Sequence, residues 1–360
     1  MRDFQLRTDL ERVVIDGFAF PLAVAPSAAG KLRPPLQGYT VSYVGGQDEE
    51  PDTYSFCVVV SHERLSQLVQ RAFDLLPDHV YGIIEIGSRD AYRTTDVFVG
   101  LENDPISLDR FRRVWTQYEP FLLEDGSIAA GANSEDPFIE IFLDQAKALM
   151  IHVPLSMRED VETMLRQLGL DEVPQLWPAS GDDDGQSEDD DADDESGSSQ
   201  IRPVLDLSDD ACPDVDELLL NLRHDWKLEL NVDPESNIDE GGRNLGSTLW
   251  HAVVIVDKAD PMQSPGGAYA SIWATAGSLH EMEHLMGQAL AKYPQWEFGE
   301  VYTIDRVAFD ERPDELLDLA PNRRLNQVHL VTIEPWGTDA DPPEGSKRPT
   351  EESADDWDER

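Results

Sequence analysis

Residues 278–309 read SLHEMEHLMGQALAKYPQWEFGEVYTIDRVAF, and residues 61–92 read SHERLSQLVQRAFDLLPDHVYGIIEIGSRDAY. Each stretch starts with a serine suited to cap a helix, continues as an amphipathic helix, breaks at a proline and resumes as a strand. Aligned without gaps, they share seven identical positions of thirty-two: Ser61/Ser278, Leu68/Leu285, Ala72/Ala289, Pro77/Pro294, Gly82/Gly299, Arg89/Arg306 and Ala91/Ala308. The pattern predicts a helix–turn–strand unit that occurs twice in the chain.

The sequence before each helix extends this match. Gly38–Val44 alternates apolar and polar residues, and Tyr54–Val60 is β-branched and apolar, so both are predicted strands. Trp250–Val256 and Ala270–Ala276 hold the same places in the second half, where Lys227–Val232 would be the opening strand. Since turn residues separate the strands, antiparallel pairing is expected. We therefore predict an α+β fold with two lobes, each a largely antiparallel sheet with helices on one face, in a diverged strand-strand-strand-helix-strand repeat.

Composition divides the chain into four segments. Residues 1–175 form a predicted N-terminal α+β domain with an inserted helix, hairpin and helix, in which 124–133 (EDGSIAAGAN) is predicted to be a connecting loop. Residues 176–202 are predicted to be a disordered acidic linker, and residues 203–336 a C-terminal α+β domain. Residues 337–360 are predicted to be a disordered acidic tail.

Acidity is the extreme property of this sequence. The formal net charge is −45, with only six lysines among 28 basic residues. Residues 182–195 hold ten carboxylates, and 339–360 hold nine against three bases, so most of the net charge belongs to the rest of the chain. Such a field repels nucleic-acid phosphates and anionic lipid, and it attracts basic partners. Salt adaptation and high solubility alone are both consistent with this composition.

The remaining composition indicates a reducing compartment. The two cysteines, Cys57 and Cys212, are far apart and imply no disulfide framework. The N-terminal residues are charged, without the apolar segment of a signal peptide, and no apolar run is long enough to span a bilayer. We therefore expect a cytoplasmic protein that binds neither membrane nor nucleic acid.

One short motif suggests metal chemistry. His280, Glu281 and His284 spell H-E-x-x-H on a predicted helix. Two histidines one turn apart can bind Zn²⁺, and the glutamate can then act as the general base of a hydrolase. However, Ser278 and Glu281 also have the spacing of a helix capping box. The histidines are predicted to lie opposite the apolar stripe, and the matching helix in residues 61–92 lacks them. A structural role for this helix is therefore favoured.

Arg89 and Arg306 are the second candidate pair, because the same residue type ends the predicted last strand of each copy. In so acidic a protein, an arginine at both places could bind an anionic ligand. More often, such an arginine makes an internal ion pair across the sheet edge; Asp90 follows Arg89 in the sequence, and Asp305 precedes Arg306.

These observations favour a non-enzymatic protein that acts through protein–protein interaction with a partner that has a basic surface, and they require no cofactor. The first alternative is a zinc-dependent hydrolase with Glu281 as catalytic base and His280 and His284 as metal ligands. A weaker alternative, an acidic mimic of nucleic acid, rests on bulk charge alone.

Overall fold

The structure is a computed structural model that describes residues 4–25, 33–46, 51–177, 201–208, 212–259, 266–319 and 326–336. The chain divides into two compact units. Unit 1 contains the chain up to Gly87 together with Thr95–Asn231, and unit 2 contains Ser88–Thr94 together with the residues from Val232 onward. Both units combine antiparallel sheet with helices, so the predicted α+β class is confirmed.

Unit 1 is built on one large antiparallel sheet. In chain order its elements are β1 (Val14–Ile15), β2 (Phe18–Ala19), β3 (Gly38–Val44), β4 (Thr53–Val59), α1 (His62–Ala72), β5 (His79–Gly87), β6 (Thr95–Gly100), β7 (Ile106–Ser107), α2 (Leu108–Glu124), β8 (Ile128–Glu135), β9 (Phe138–Leu143), β10 (Leu149–Pro154), α3 (Arg158–Gln167), α4 (Val215–Trp226) and β11 (Leu228–Leu230). The strand order is β11-β6-β5-β8-β9-β10-β4-β3, with β7 paired to β5, while β1 and β2 form a separate hairpin.

One face of this sheet and helices α1 to α4 enclose the main core. In β9 the alternate residues Ile139, Ile141 and Leu143 are buried, as the two-residue period of a strand requires. They join a cluster that includes buried side chains from all four helices, among them Trp115 and Trp226. The opposite face of the sheet, which carries the other alternate residues, is called the outer face below.

The described part of unit 2 contains a smaller sheet and one α-helix of 12 residues. Its elements are β12 (Thr248–Lys258), β13 (Gly267–Ala276), α5 (Leu279–Leu290), β14 (Trp296–Val307) and β15 (Gln327–Trp336). The strand order is β14-β12-β13-β15, with antiparallel pairs throughout. The apolar stripe of α5 packs on one face of this sheet; its buried members are Met282, Leu285, Met286, Ala289 and Leu290.

The units divide at Asn231, so residues 203–231, expected in the second domain, lie in the first. Val204, Leu218 and Trp226 of this segment are buried in the unit 1 core. Lys227–Val232, expected to begin a second copy of the repeat, instead supplies β11, which pairs with β6. The acidic stretch suggested a domain boundary before residue 203. The apolar residues of α4, which follow that stretch, are nevertheless buried in the unit 1 core.

Residues 124–133 do not form the predicted connecting loop. They end α2 and supply most of β8, which lies between β5 and β9. Small residues are needed there because the strands approach closely: a Cβ at Gly131 would lie 2.1 Å from the carbonyl oxygen of Ile141. The glycine and alanine content therefore reflects tight strand packing instead of chain flexibility.

The internal repeat stays a prediction. The order strand, strand, helix, strand occurs in both units, as β3-β4-α1-β5 and as β12-β13-α5-β14. The last strand pairs differently, because β14 pairs with β12 whereas β5 pairs with β6 and β8.

Most of the two predicted disordered segments lies outside the described residues. Of 176–202 the structure describes only 176–177 and 201–202, and residues 337–360 are not among those described. Within that part, Leu176 is buried and Ile201 forms an isolated bridge with Val24. None of the described helices has the length and apolar character needed to cross a membrane.

Candidate interaction groove

An open groove of about 360 Å³ lies in unit 2 between α5 and β14. Most of its lining is apolar: Glu283, Met286, Gly287, Leu290, Ala291, Pro294, Trp296, Phe298 and Val301. Phe298 keeps 55% of its surface exposed. A large aromatic side chain that remains half in water beside an apolar groove is typical of a surface that binds another molecule.

The helix supplies one wall of the groove. Met286 and Leu290 belong to the buried stripe of α5, whereas Glu283 and Gly287 are exposed. A Cβ added at Gly287 would have no heavy atom within 4 Å. The lack of a side chain at Gly287 therefore leaves the groove open along the helix.

The strand supplies the other wall because its pairing is irregular. Val301 pairs with Val254 and Phe298 pairs with Val256, with a register shift between these pairs. Residues three apart point to opposite faces of a regular strand. The bulge instead brings Val301 and Phe298 to the same face as α5, where Val254 and Val256 are buried in the core.

Carboxylates accompany this apolar surface. Glu283 lines the groove, and Glu297 and Glu300 are exposed on β14. Their pairing with Asp257 and Ile255 places these two glutamates on the face of the strand that points away from α5. Lys292 is an exposed base in the turn after the helix. The groove can therefore receive apolar side chains, and carboxylates predominate around it.

The H-E-x-x-H motif forms the first turn of α5. Ser278 Oγ accepts a hydrogen bond from the Glu281 amide at 3.2 Å, and Glu281 Oε2 accepts one from the Gly277 amide at 2.8 Å. This is a variant of the capping box, in which the glutamate accepts from the amide of the residue before the N-cap instead of from the N-cap amide. Glu281 therefore satisfies a free amide at the helix start.

The two histidines point away from the sheet. His280 is exposed, with Nδ1 3.8 Å from Glu235 Oε1, and His284 Nε2 accepts a hydrogen bond from Gln288 Nε2 at 2.7 Å. Across the described ranges, no three His, Cys, Asp or Glu side chains come together as a possible metal site. The zinc hypothesis thus has two candidate ligands and no third one in that part of the chain.

Arg306 is buried in an internal ion pair. Its Nε lies 2.8 Å and 3.0 Å from the two carboxylate oxygens of Asp90, and its amide donates to Asp90 Oδ2 at 2.9 Å. Nη1 donates to Asn237 Oδ1 at 2.9 Å and to the Ile238 carbonyl at 2.7 Å. This geometry agrees with the ion-pair interpretation of Arg306. Arg89, in contrast, is exposed.

Unit 1 holds a buried ionic cluster that sequence reasoning missed. Glu124, at the end of α2, accepts hydrogen bonds from Arg12 Nη1 at 3.0 Å and from the Leu22 amide at 2.7 Å, and its Oε1 lies 3.0 Å from His62 Nε2. Burial raises the pKa of Glu124, but the hydrogen bonds from His62 and Arg12 outweigh burial and lower it to about 2. The cluster joins Arg12 of the N-terminal segment to the end of α2 at Glu124 and to the start of α1 at His62. These connections indicate a structural role.

Lys147 is a second buried charge, in the turn between β9 and β10. Its Nζ donates to the Ile128 carbonyl at 2.7 Å. Burial lowers its pKa to about 8, although the charges of Asp125, Asp144 and Glu124 oppose that change. No local pattern in the sequence distinguishes this lysine, because Ile128 and Asp125 lie in a different strand and loop.

No protein-family model, curated protein sequence or solved structure matches this chain.

Proposed function

We propose that this protein is a non-enzymatic interaction protein, and that the groove between α5 and β14 docks a short segment of a partner protein. The observation that carries the proposal is the open apolar lining of the groove, with Phe298 half exposed beside it. Aromatic residues and methionine are enriched at protein interfaces relative to the rest of the protein surface. A groove of this volume suits a few apolar side chains from an amphipathic segment.

The partner segment should carry lysine or arginine beside its apolar residues. Glu283 would meet it at the helix wall, and Glu297 and Glu300 are exposed along the strand. The net charge of −45 steers such a segment toward the protein from a distance. Affinity should consequently fall as salt concentration rises, because surface charges are screened.

A segment of another protein fits better than the acidic C-terminal residues of this chain. Residues 339–360 carry nine carboxylates against three bases. Placing them in a groove lined by Glu283, on a protein with a net charge of −45, would bring like charges together, which is unfavourable.

Selection from a library of short random peptides displayed on phage tests the proposal. We expect wild-type protein to enrich peptides with apolar residues flanked by lysine or arginine. Gly287→Leu should fill the groove and weaken these peptides about tenfold or more, which corresponds to the loss of one well-packed anchor. The substitution should not strain the helix, because the space beside Gly287 is open and leucine is a better helix former than glycine.

Gln288→Leu is the matched control, since it adds the same side chain on the exposed face next to the groove. It should leave peptide binding unchanged. Enriched peptides that bind Gly287→Leu as tightly as wild type, or that show no preference for basic residues, would contradict the proposal.

A further inference from the structure

A row of polar side chains crosses the outer face of the unit 1 sheet. Glu140 in β9 is the cross-strand partner of His152 in β10 and of Asn133 in β8. His152 is in turn the partner of Ser55 in β4. Paired residues of antiparallel strands share one face, so these side chains are neighbours on the face that does not bear the helices.

Glu140 lies between two aromatic residues of its own strand. Phe138, Glu140 and Phe142 are alternate residues of β9, and all three are partly exposed, whereas Ile139 and Ile141 are buried on the core side. Successive residues on one face of a strand are about 7 Å apart. Phe142 is also paired with Met150, so apolar surface continues beside the carboxylate.

The charge of Glu140 is weakly compensated. Its one ion-pair partner within the described ranges is His152, whose Nε2 lies 3.9 Å from Glu140 Oε1, longer than a hydrogen bond. Both side chains keep 27% of their surface exposed. Burial raises the pKa of Glu140, and His152 opposes this. A carboxylate in such a place is stabilised by a cation that approaches from solvent.

We propose that this part of the outer face binds a primary ammonium group carried on an apolar chain, with Glu140 as the counter-ion. The ammonium donates hydrogen bonds to the Glu140 carboxylate and to the Asn133 side-chain oxygen. Phe138 and Phe142 attract the cation through their rings, and the carbon chain packs on Phe142 and Met150. The acidic field of the molecule raises the local concentration of such ligands.

The same chemistry occurs in a free alkylamine and in the lysine side chain of a peptide. Two probes separate these sources: n-butylammonium, and Nα-acetyl-lysine amide, whose only ammonium is on the side chain. Butan-1-ol, which has the carbon chain without the charge, serves as the neutral comparison.

Binding can be followed by NMR of protein labelled with ¹³C in its methionine methyl groups. Met150 lies beside the proposed site and Met286 in the groove of unit 2, so each position has its own reporter; Met150→Leu assigns the first signal. We expect n-butylammonium to shift the Met150 signal in a saturable manner and to leave Met286 unchanged. Butan-1-ol should shift neither signal at the same concentration.

Glu140→Gln removes the charge with almost no change of shape and should weaken binding about tenfold or more, as expected for the loss of a charge-assisted hydrogen bond. Glu85→Gln, on the same face at a distance from the site, should leave the affinity unchanged; Glu85 is the partner of Ala129 in β8. Phe142→Leu should weaken binding about threefold by removing one ring, and it provides a test if Glu140→Gln does not fold.

The proposal is overturned if Glu140→Gln binds as well as wild type, or if Glu85→Gln weakens binding to the same degree, because attraction would then be diffuse. Equal shifts with butan-1-ol would also overturn it. A response to n-butylammonium alone would assign the site to free amines, and a response to both probes would extend it to lysine side chains.

Discussion

The carboxylate of Asp90 and the guanidinium of Arg306 form a fully enclosed ion pair across 216 residues of sequence, with a shortest distance of 2.8 Å. The exposed fractions of the two side chains are 0% and 4%. The rings of Tyr92 and Trp250 lie 5.3 Å and 5.9 Å from the guanidinium carbon. Arg306 is therefore held by groups of unit 2 on several sides.

Removing one partner of this pair should destabilise unit 2. Asp90→Ala leaves the guanidinium buried without its counter-charge, and we expect the free energy of unfolding to fall by about 3–5 kcal/mol. Urea denaturation followed by tryptophan fluorescence measures this loss. The double variant Asp90→Ala/Arg306→Met should lose less than the sum of the single variants. Additive effects, or a loss below about 1 kcal/mol as for an exposed pair, would contradict the buried-pair description.

Gly131→Ala tests the close approach of β8 and β9. The new methyl group would meet the Ile141 carbonyl oxygen at 2.1 Å and Phe142 Cα at 2.7 Å. Because both are backbone atoms, the strands must separate, and we expect a loss of more than about 3 kcal/mol or insoluble protein. Gly87→Ala in β5 is the control, since a Cβ there meets nothing within 4 Å. Its thermal midpoint should match that of wild type.

Glu124 should make the free energy of unfolding depend on pH. Its pKa is lowered from 4.5 to about 2 in the folded protein, so the unfolded chain binds the proton more tightly. The stabilisation is complete above pH 4.5 and is lost as pH falls toward 2, in total about 3 kcal/mol. Urea denaturation between pH 2 and 7 measures this loss. As pH falls, the free energy of unfolding should decline more steeply for wild type than for Glu124→Gln. Parallel curves would show that the carboxylate does not keep its low pKa.

Ser278→Ala should lower the free energy of unfolding by about 1 kcal/mol, the usual effect of losing an N-cap. His284→Ala, on the exposed face of the same helix, should change it by less than about 0.5 kcal/mol. The zinc-hydrolase hypothesis makes a different prediction. Wild-type protein should contain bound zinc, and His284→Ala should abolish zinc binding. Metal analysis of both proteins decides between the helix cap and the zinc site.

Local sequence signals predicted much of this fold. Serine at the helix start, apolar spacing and proline breaks located α1 and α5, and alternation located β3, because these features act within a few residues. β8 was missed because Gly131 and its alanine neighbours carry no β propensity, and their role depends on the strand they approach.

The candidate sites were less predictable for a related reason. Phe298 and Val301 line one groove only because a bulge shifts the register between β12 and β14, and register is set by pairing over a distance. The polar row around Glu140 needs β8, β9, β10 and β4 to be aligned. The partner of Glu124 lies 112 residues away at Arg12, where no local pattern points to it.

Unit 2 is assembled from two separated pieces of the chain, Ser88–Thr94 and the residues from Val232 onward. At typical rates of translation, Asp90 is synthesised about 10–40 s before Arg306, so the ion pair can form only after this interval. A single cut after Asn231 would leave Asp90 on one fragment and Arg306 on the other. No single continuous fragment that begins at Val232 therefore contains the whole of unit 2.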